Sequence, residues 1–350
     1  MTLLFQFLSS LFNPRRSYSR AAGGRFPPLP VQVEFIGRSA AGKTTLDTAL
    51  SQHVFPEQLP SGLQIAAPAG NPAAAIERMR RNQRRENDLQ SSGMGTTVDD
   101  SGTTWMLTDG EQQRVKLTIN ECIGQVMMNP DASPDFRRIF QTYIDRLQQA
   151  SAIWICIPWP SGHAEACRQF QADIQTAQIC LRTALEAKAL RGGTLSVCVL
   201  LTQIDRCAVS AEAAQSKLPD KELKQLLKPL VDTIRVSRVV NAAIILPVSA
   251  MGFSSVRNID STAVESASRT GSPSPSDTAA AAARTSVTLL KAGAQLTPFN
   301  LQSLVPWSIL HAILPQDVDS SSGQATAMKH IVELLSADLE SLSGWHCQLR

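Results

Sequence analysis

Val31-Gln-Val-Glu-Phe-Ile-Gly37-Arg-Ser-Ala-Ala-Gly42-Lys43-Thr44-Thr45 is the stretch that decides the fold. Residues 31–36 read as a buried strand, 37–42 as a glycine-bounded turn, and Lys43 onward as the start of a helix. The spacing fits G-x-x-x-x-G-K-[ST], a phosphate-binding loop. Gly37 and Gly42 permit turns that a Cβ would resist. Backbone N–H groups across Ser39, Ala40, Ala41, Gly42, Lys43 and Thr44 can then face phosphate oxygens. The helix that Thr45 continues adds the positive end of its dipole. Lys43 supplies a mobile cation for terminal phosphates, and the Thr44 hydroxyl can ligate Mg²⁺.

The rest of the composition sets bounds. A chain of 350 residues with 43% hydrophobic and 18% charged residues can bury a full core. A net charge of +3 is too small to argue for a nucleic-acid partner. The seven cysteines include no C-x-x-C pair. Cys122, Cys156, Cys180 and Cys198 sit in apolar surroundings that suit free buried thiols, so a reduced, cytoplasmic setting is expected. The five histidines have no metal-ligand spacing, and no metal beyond Mg²⁺ is expected. Residues 1–12 are rich in Leu and Phe and precede Arg15, Arg16 and Arg20. That order is wrong for a secretory signal, and the run is too short to span a bilayer. Its helical stripe suits contact with a membrane surface through residues 1–20, peripheral at the inner membrane, or docking on protein.

Along the chain, residues 17–30 have linker composition and 51–71 read as loop. Residues 72–89 suit a polar helix whose Arg78, Arg80, Arg81, Arg84 and Arg85 form a solvated face. Residues 103–108 and 113–120 form a hairpin around Asp109-Gly110. Strands are expected over 152–157, 195–201 and 242–248, and helices over 136–149, 163–190, 221–234 and 325–342. Alternating strands and helices imply a parallel sheet covered on both faces. Residues 254–287, rich in Ser, Ala and Thr, read as a disordered insertion.

Two strand ends narrow the chemistry. Residues 195–201 run into Thr202-Gln203-Ile204-Asp205, and the last strand runs into Ser249-Ala250. Both lie where a doubly wound sheet binds its ligand. With these motifs the chain resembles the P-loop GTPases of the Ras-like and translation-factor-like class, whose base-reading motifs are [NT]-K-x-D and S-A. Its layout also looks like the bacterial double-GTPase group. The resemblance covers residues 31–252. It implies an α/β, P-loop NTPase-type three-layer fold with a mostly parallel sheet and one antiparallel hairpin strand. It implies GTP or GDP with Mg²⁺ as ligands and a protein effector or regulator as partner. Asp205 would accept from guanine N1 and the 2-amino group, and the Ala250 N–H would donate to O6. Gly93-Met-Gly95-Thr96-Thr97 matches the effector loop, with Thr97 first and Thr96 second for closing over Mg²⁺ and γ-phosphate. Glu121-Cys-Ile-Gly124-Gln125 matches D-x-x-G-Q. Gly124 would donate to the γ-phosphate, and Gln125 would orient the attacking water.

The resemblance therefore implies catalytic roles for Gln125, Lys43 and Thr97, and metal roles for Thr44, Thr97 and Glu121. The expected organisation is an apolar helix and linker over 1–30, a G domain over 31–252, an insertion over 253–287, and helices over 288–350 that complete the G domain. The chain departs from the family in three places. Glu121 replaces Asp and must fold back to reach the water shell of Mg²⁺. Gln203 replaces a Lys that packs on the base and braces the phosphate loop. Ser39 and Ala40 occupy positions often held by Gly. Arg38 is read as a side chain pointing away from phosphate. The expected activity is a GTP-binding switch with slow Mg²⁺-dependent hydrolysis. The alternatives are a nucleotide-bound scaffold without hydrolysis and an ATP-using P-loop protein.

Overall fold

Gly102–Asp109 (β3) and Gln112–Glu121 (β4) form the expected hairpin, and β4 lies parallel to Leu29–Ile36 (β1), with Val33 opposite Ile119. On its other side β1 pairs in parallel with Ala152–Pro158 (β5), followed by Leu195–Thr202 (β6) and Val240–Pro247 (β7). Two short strands complete the sheet. Gln64–Ala66 (β2) is antiparallel to β3, and Cys347–Gln348 (β10) is antiparallel to β7. The order is β10-β7-β6-β5-β1-β4-β3-β2. This computed structural model describes residues 27–38, 41–51, 59–66, 102–110, 112–121, 126, 131–160, 164–206, 210–217, 220–253, 256–258, 288–290, 298–315, 323–341 and 346–349.

The central strands are apolar on both sides because helices cover both faces. Val31, Val33, Phe35, Trp154, Cys156, Cys198 and Leu200 face Lys43–Ala49 (α1), Leu304–Ile313 (α7) and Gly323–Ser341 (α8). Ile36, Ile153, Ile155, Val197 and Val199 face Pro134–Gln149 (α2), Ala164–Arg191 (α3) and Lys228–Val236 (α6). Two shorter helices, Ala211–Lys217 (α4) and Asp220–Leu226 (α5), lie between β6 and α6 in the chain. No described helix is long and apolar enough to cross a membrane.

One buried carboxylate interrupts the second face. Glu34 of β1 is fully buried, accepts from Gln32 Nε2 at 2.8 Å and Asn120 Nδ2 at 2.5 Å, and pairs with Arg146 of α2 at 3.3 Å. The pairing and the amide donors offset the cost of taking that charge out of water.

Several sequence expectations change. The single helix over 221–234 is two, α5 and α6, because Pro229 sits in the first turn of α6 and cannot donate to a preceding turn. Ser133 caps α2 by accepting from Phe136 N at 3.1 Å. Pro134 and Asp135 thus extend the helix expected over 136–149 by two residues at its start. The loop read over 51–71 contains β2, too short to show a period. At the edges of the expected insertion, Val256–Asn258 (β8) pairs with Thr288–Leu290 (β9). The helices expected over 1–12 and 72–89 lie outside the described residues.

His311 of α7 lies against Trp307, with ring centroids 4.5 Å apart, and burial pushes its pKa down to about 4. The folded state holds this imidazole neutral, whereas the unfolded chain protonates it near its ordinary value of about 6.5. Its contribution is complete above about pH 6.5 and is lost as pH falls towards 4. Urea titrations should show stability dropping by about 2–3 kcal/mol across that window, and His311→Gln should flatten that part of the profile.

Candidate functional site

The phosphate-binding motif lies where β1 ends and α1 begins. This is also where the chain order reverses across the sheet, with β4 on one side of β1 and β5 on the other. Gly37 has φ 152°, and a Cβ there would come within 2.8 Å of the Cys156 carbonyl oxygen on β5. Gly42 is left-handed at φ 86° and caps α1, with its carbonyl accepting from Leu46 N at 2.9 Å. Between them the loop is drawn around Lys43. Its ammonium donates to the carbonyls of Gly37 and Arg38, each at 2.9 Å, and the side chain is buried. Lys43 therefore spans the loop from its helical end to its strand end.

Two other strand ends reach this loop with hydrogen bonds, and a third, that of β7, holds Asp205. From β4, Glu121 accepts a hydrogen bond from the Thr44 hydroxyl at 2.7 Å, and both residues are buried. From β6, the Thr202 hydroxyl donates to the Ala41 carbonyl at 2.8 Å. Gln203 follows with φ 61°, unusual for a residue with a Cβ, and its Nε2 lies 3.8 Å from where a Cβ on Gly42 would stand. The strained turn brings the Gln203 amide nitrogen beside Gly42 of the phosphate loop. Asp205 sits in the short 3₁₀ turn Ile204–Arg206 and is half-buried. From the end of β7, the Ser249 hydroxyl donates to Asp205 at 2.5 Å and accepts from Gly252 N at 2.8 Å. Ser249 is held in turn by an antiparallel bridge to Phe299, whose N–H donates to its carbonyl at 2.8 Å. Ala250 is buried beside it.

Gly37, Ala41, Gly42, Lys43, Thr44, Thr45, Glu121, Thr202, Gln203, Asp205, Ser249 and Ala250 thus belong to one connected edge of the sheet. Ser39, Ala40, Thr96, Thr97, Gly124 and Gln125 lie outside the described residues. Arg38 turns away from the cradle and forms an ion pair with Asp173 of α3. Burial raises the Asp173 pKa, while Arg38 and the Gln169 amide oppose that shift. Sequence reasoning gave no sign of this anchor, because nothing near Asp173 marks it as a partner of residue 38. It also missed Cys156, whose carbonyl forbids a side chain at Gly37 and whose thiol is pushed up by burial against the opposing pull of Lys43.

The donor set fits a polyphosphate and a hard divalent cation. It combines a buried ammonium, a left-handed glycine at a helix start, a buried hydroxyl and a carboxylate touching that hydroxyl. With the order of its strands, this makes the chain an α/β, P-loop NTPase-type three-layer fold with a mostly parallel sheet.

No protein-family profile and no curated protein matches the chain. Among solved structures it is similar to the Arl6 (BBS3) small GTPase from Trypanosoma brucei with bound nucleotide analogue GppNp. That match has 16% identity, 64% of this chain, 90% of that one and a TM-score of 0.33. It is also similar to the Ski7 GTPase-like domain from S. cerevisiae bound to GTP, at 15% identity, 64% of this chain, 43% of that one and a TM-score of 0.37.

Proposed function

We propose that the chain is a guanine-nucleotide-binding switch that hydrolyses GTP slowly with Mg²⁺. The observation that carries this reading is a set of contacts at three strand ends, joined through the short chain segment from Thr202 to Asp205. It runs from Glu121 and Thr44, through the loop and Ala41, to Thr202, Asp205 and Ser249. A phosphate loop alone does not choose a base. Here it is braced by the strand end that carries Asp205, and Ser249 holds that carboxylate in place. Adenine, lacking the N1–H and 2-amino donors, would leave the carboxylate poorly paired.

In this reading the loop amides and Lys43 bind the phosphates. Thr44, Glu121 and Thr97 hold Mg²⁺, which neutralises charge on the phosphate oxygens when bound. The Gln203 amide nitrogen lies beside Gly42. Gln125 orients water, and Gly124 donates to the terminal phosphate. Thr97 and Gly124 belong to loops that differ between the nucleotide states. Residues 31–252 with 288–350 form the nucleotide-binding domain, and an effector or regulator reads those loops. Residues 1–20 touch a membrane surface at the cytoplasmic side.

Equilibrium titration with fluorescent GDP, GTP, ADP and ATP in Mg²⁺ tests the reading. Wild type should prefer the guanine nucleotides. Lys43→Ala should weaken them by about 100-fold, the loss of charge-assisted contacts of about 1.5–3 kcal/mol each. Equal affinity for all four, or none, would sink the proposal.

A further inference from the structure

A second cavity, of about 250 Å³, lies at the opposite end of β1 from the phosphate loop. Gln32 of β1, Gln148 and Gln149 of α2, Ser151, and Lys188 and Arg191 of α3 line it. The Ser151 N–H donates to the Gln32 carbonyl at 2.8 Å, which fixes the segment before β5 to β1. Sites for drug-sized molecules occupy about 300–1,000 Å³, so this one suits a small ion or a single functional group rather than a nucleotide.

Among the described residues its lining carries two cations and no carboxylate. Glu34, on the same strand as Gln32, does not line it and pairs with Arg146. Lys188 is buried, a costly place for an ammonium. It donates to the Ala150 carbonyl at 2.6 Å, at the C-terminal end of α2. That contact complements the negative end of the helix and uses one N–H group of the ammonium. Burial lowers the Lys188 pKa, and the charge of Arg191 lowers it further. Neither cation forms an ion pair with a described residue. Capping of α2 accounts for Lys188 alone. It does not account for a second cation, two glutamine amides and a serine hydroxyl around the same space.

We propose that this cavity binds a phosphate group, either free phosphate or the end of a small phosphomonoester. The Arg191 guanidinium is a fork that can take two oxygens, and Lys188 adds a point charge. Gln148, Gln149 and Ser151 supply neutral donors. These donors come from three separate segments, which favours the four oxygens of a tetrahedral anion over the two of a planar carboxylate. A bound anion offsets both cations and the desolvation of Lys188. The site is distinct from the phosphate loop and goes beyond the nucleotide-binding function proposed above.

Isothermal titration calorimetry of the full chain with sodium phosphate, and separately with glycerol 3-phosphate, tests the assignment. The compound that binds more tightly identifies the source as a free ion or a carried group. Arg191→Gln should weaken binding about tenfold or more, the loss of a charge-assisted hydrogen bond. Lys188→Met should weaken it at least as much. Arg191 is exposed, so its variant reads the site even where Lys188→Met fails to fold. Lys43→Ala should leave this binding intact, which separates it from phosphate held at the loop. Binding unchanged in Arg191→Gln, or absent from wild type for both compounds, would overturn the proposal. GDP affinity should be unchanged in Arg191→Gln, so failure of this site and failure of the nucleotide reading are separate results.

Discussion

Asp205→Asn should exchange guanine for xanthine preference, with GDP affinity falling by at least about 100-fold and xanthosine diphosphate gaining. The carboxylate presents acceptors to the N1–H and 2-amino group of guanine, and charged hydrogen bonds of this kind contribute about 1.5–3 kcal/mol each. Asn replaces one acceptor with an N–H donor. That donor opposes the 2-amino group of guanine and suits the oxygen that xanthine carries there. The local turn should survive the change, because an Asn carbonyl oxygen can still accept from the Ser249 hydroxyl, which lies 2.5 Å from Asp205. Ser249 also keeps its contact with Gly252 N at 2.8 Å. Competition between GDP and xanthosine diphosphate for a fluorescent probe checks this. Unchanged base preference would mean that Asp205 does not read the base, and an ATP-using reading would regain ground.

Trp154→Ala should be among the most destabilising single changes in the chain, at about 3–5 kcal/mol. The indole is fully buried on β5 and meets Phe35 of β1 edge-to-face, with ring centroids 5.0 Å apart. Its Nε1 donates to the Ser308 hydroxyl of α7 at 2.8 Å, and Ser308 passes the bond to the Leu304 carbonyl at 2.8 Å. Truncation leaves a cavity between sheet and helix, which the surrounding strands cannot close. Trp154→Phe should cost less, about 1–2 kcal/mol, since Ser308 keeps its carbonyl acceptor. Urea denaturation of the three proteins measures both values. A cost for Trp154→Ala below that of the phenylalanine variant would show that this contact does not anchor α7. Because Phe35 ends only two residues before Gly37, the damage should extend to the phosphate loop and weaken nucleotide binding even where the chain stays folded.

These expectations rest on different levels of information. The loop from Gly37 to Thr44 was legible in the sequence because its constraints are local: glycine spacing, a cation and a hydroxyl at the helix start. The apolar strands were legible for a similar reason, since runs such as 195–201 are buried on both faces and leave no room for polar alternation. Even Asp205 and Ser249 could be picked out, because each follows such a run directly. Short edge strands were not, because Gln64–Ala66 and Cys347–Gln348 hold through pairing with β3 and β7 rather than through any period of their own. The break between α5 and α6 was obscured by an apolar pattern that runs on past Pro229.

What only the tertiary structure decided is how distant residues close on the loop. Arg38 is turned away by Asp173, which lies 135 positions further on (173 − 38) and on another element. Gly37 is required by a carbonyl of β5, and Thr202 reaches Ala41 across 161 residues. The substitution at Glu121 looked in the sequence like a longer acid with an awkward reach. The fold makes it a direct neighbour of Thr44, because β4 and β1 run side by side and end together beneath the loop. Sequence periodicity reports which face of an element is buried. It carries no term for which side chain from another element arrives there, and that arrival sets the chemistry of this site.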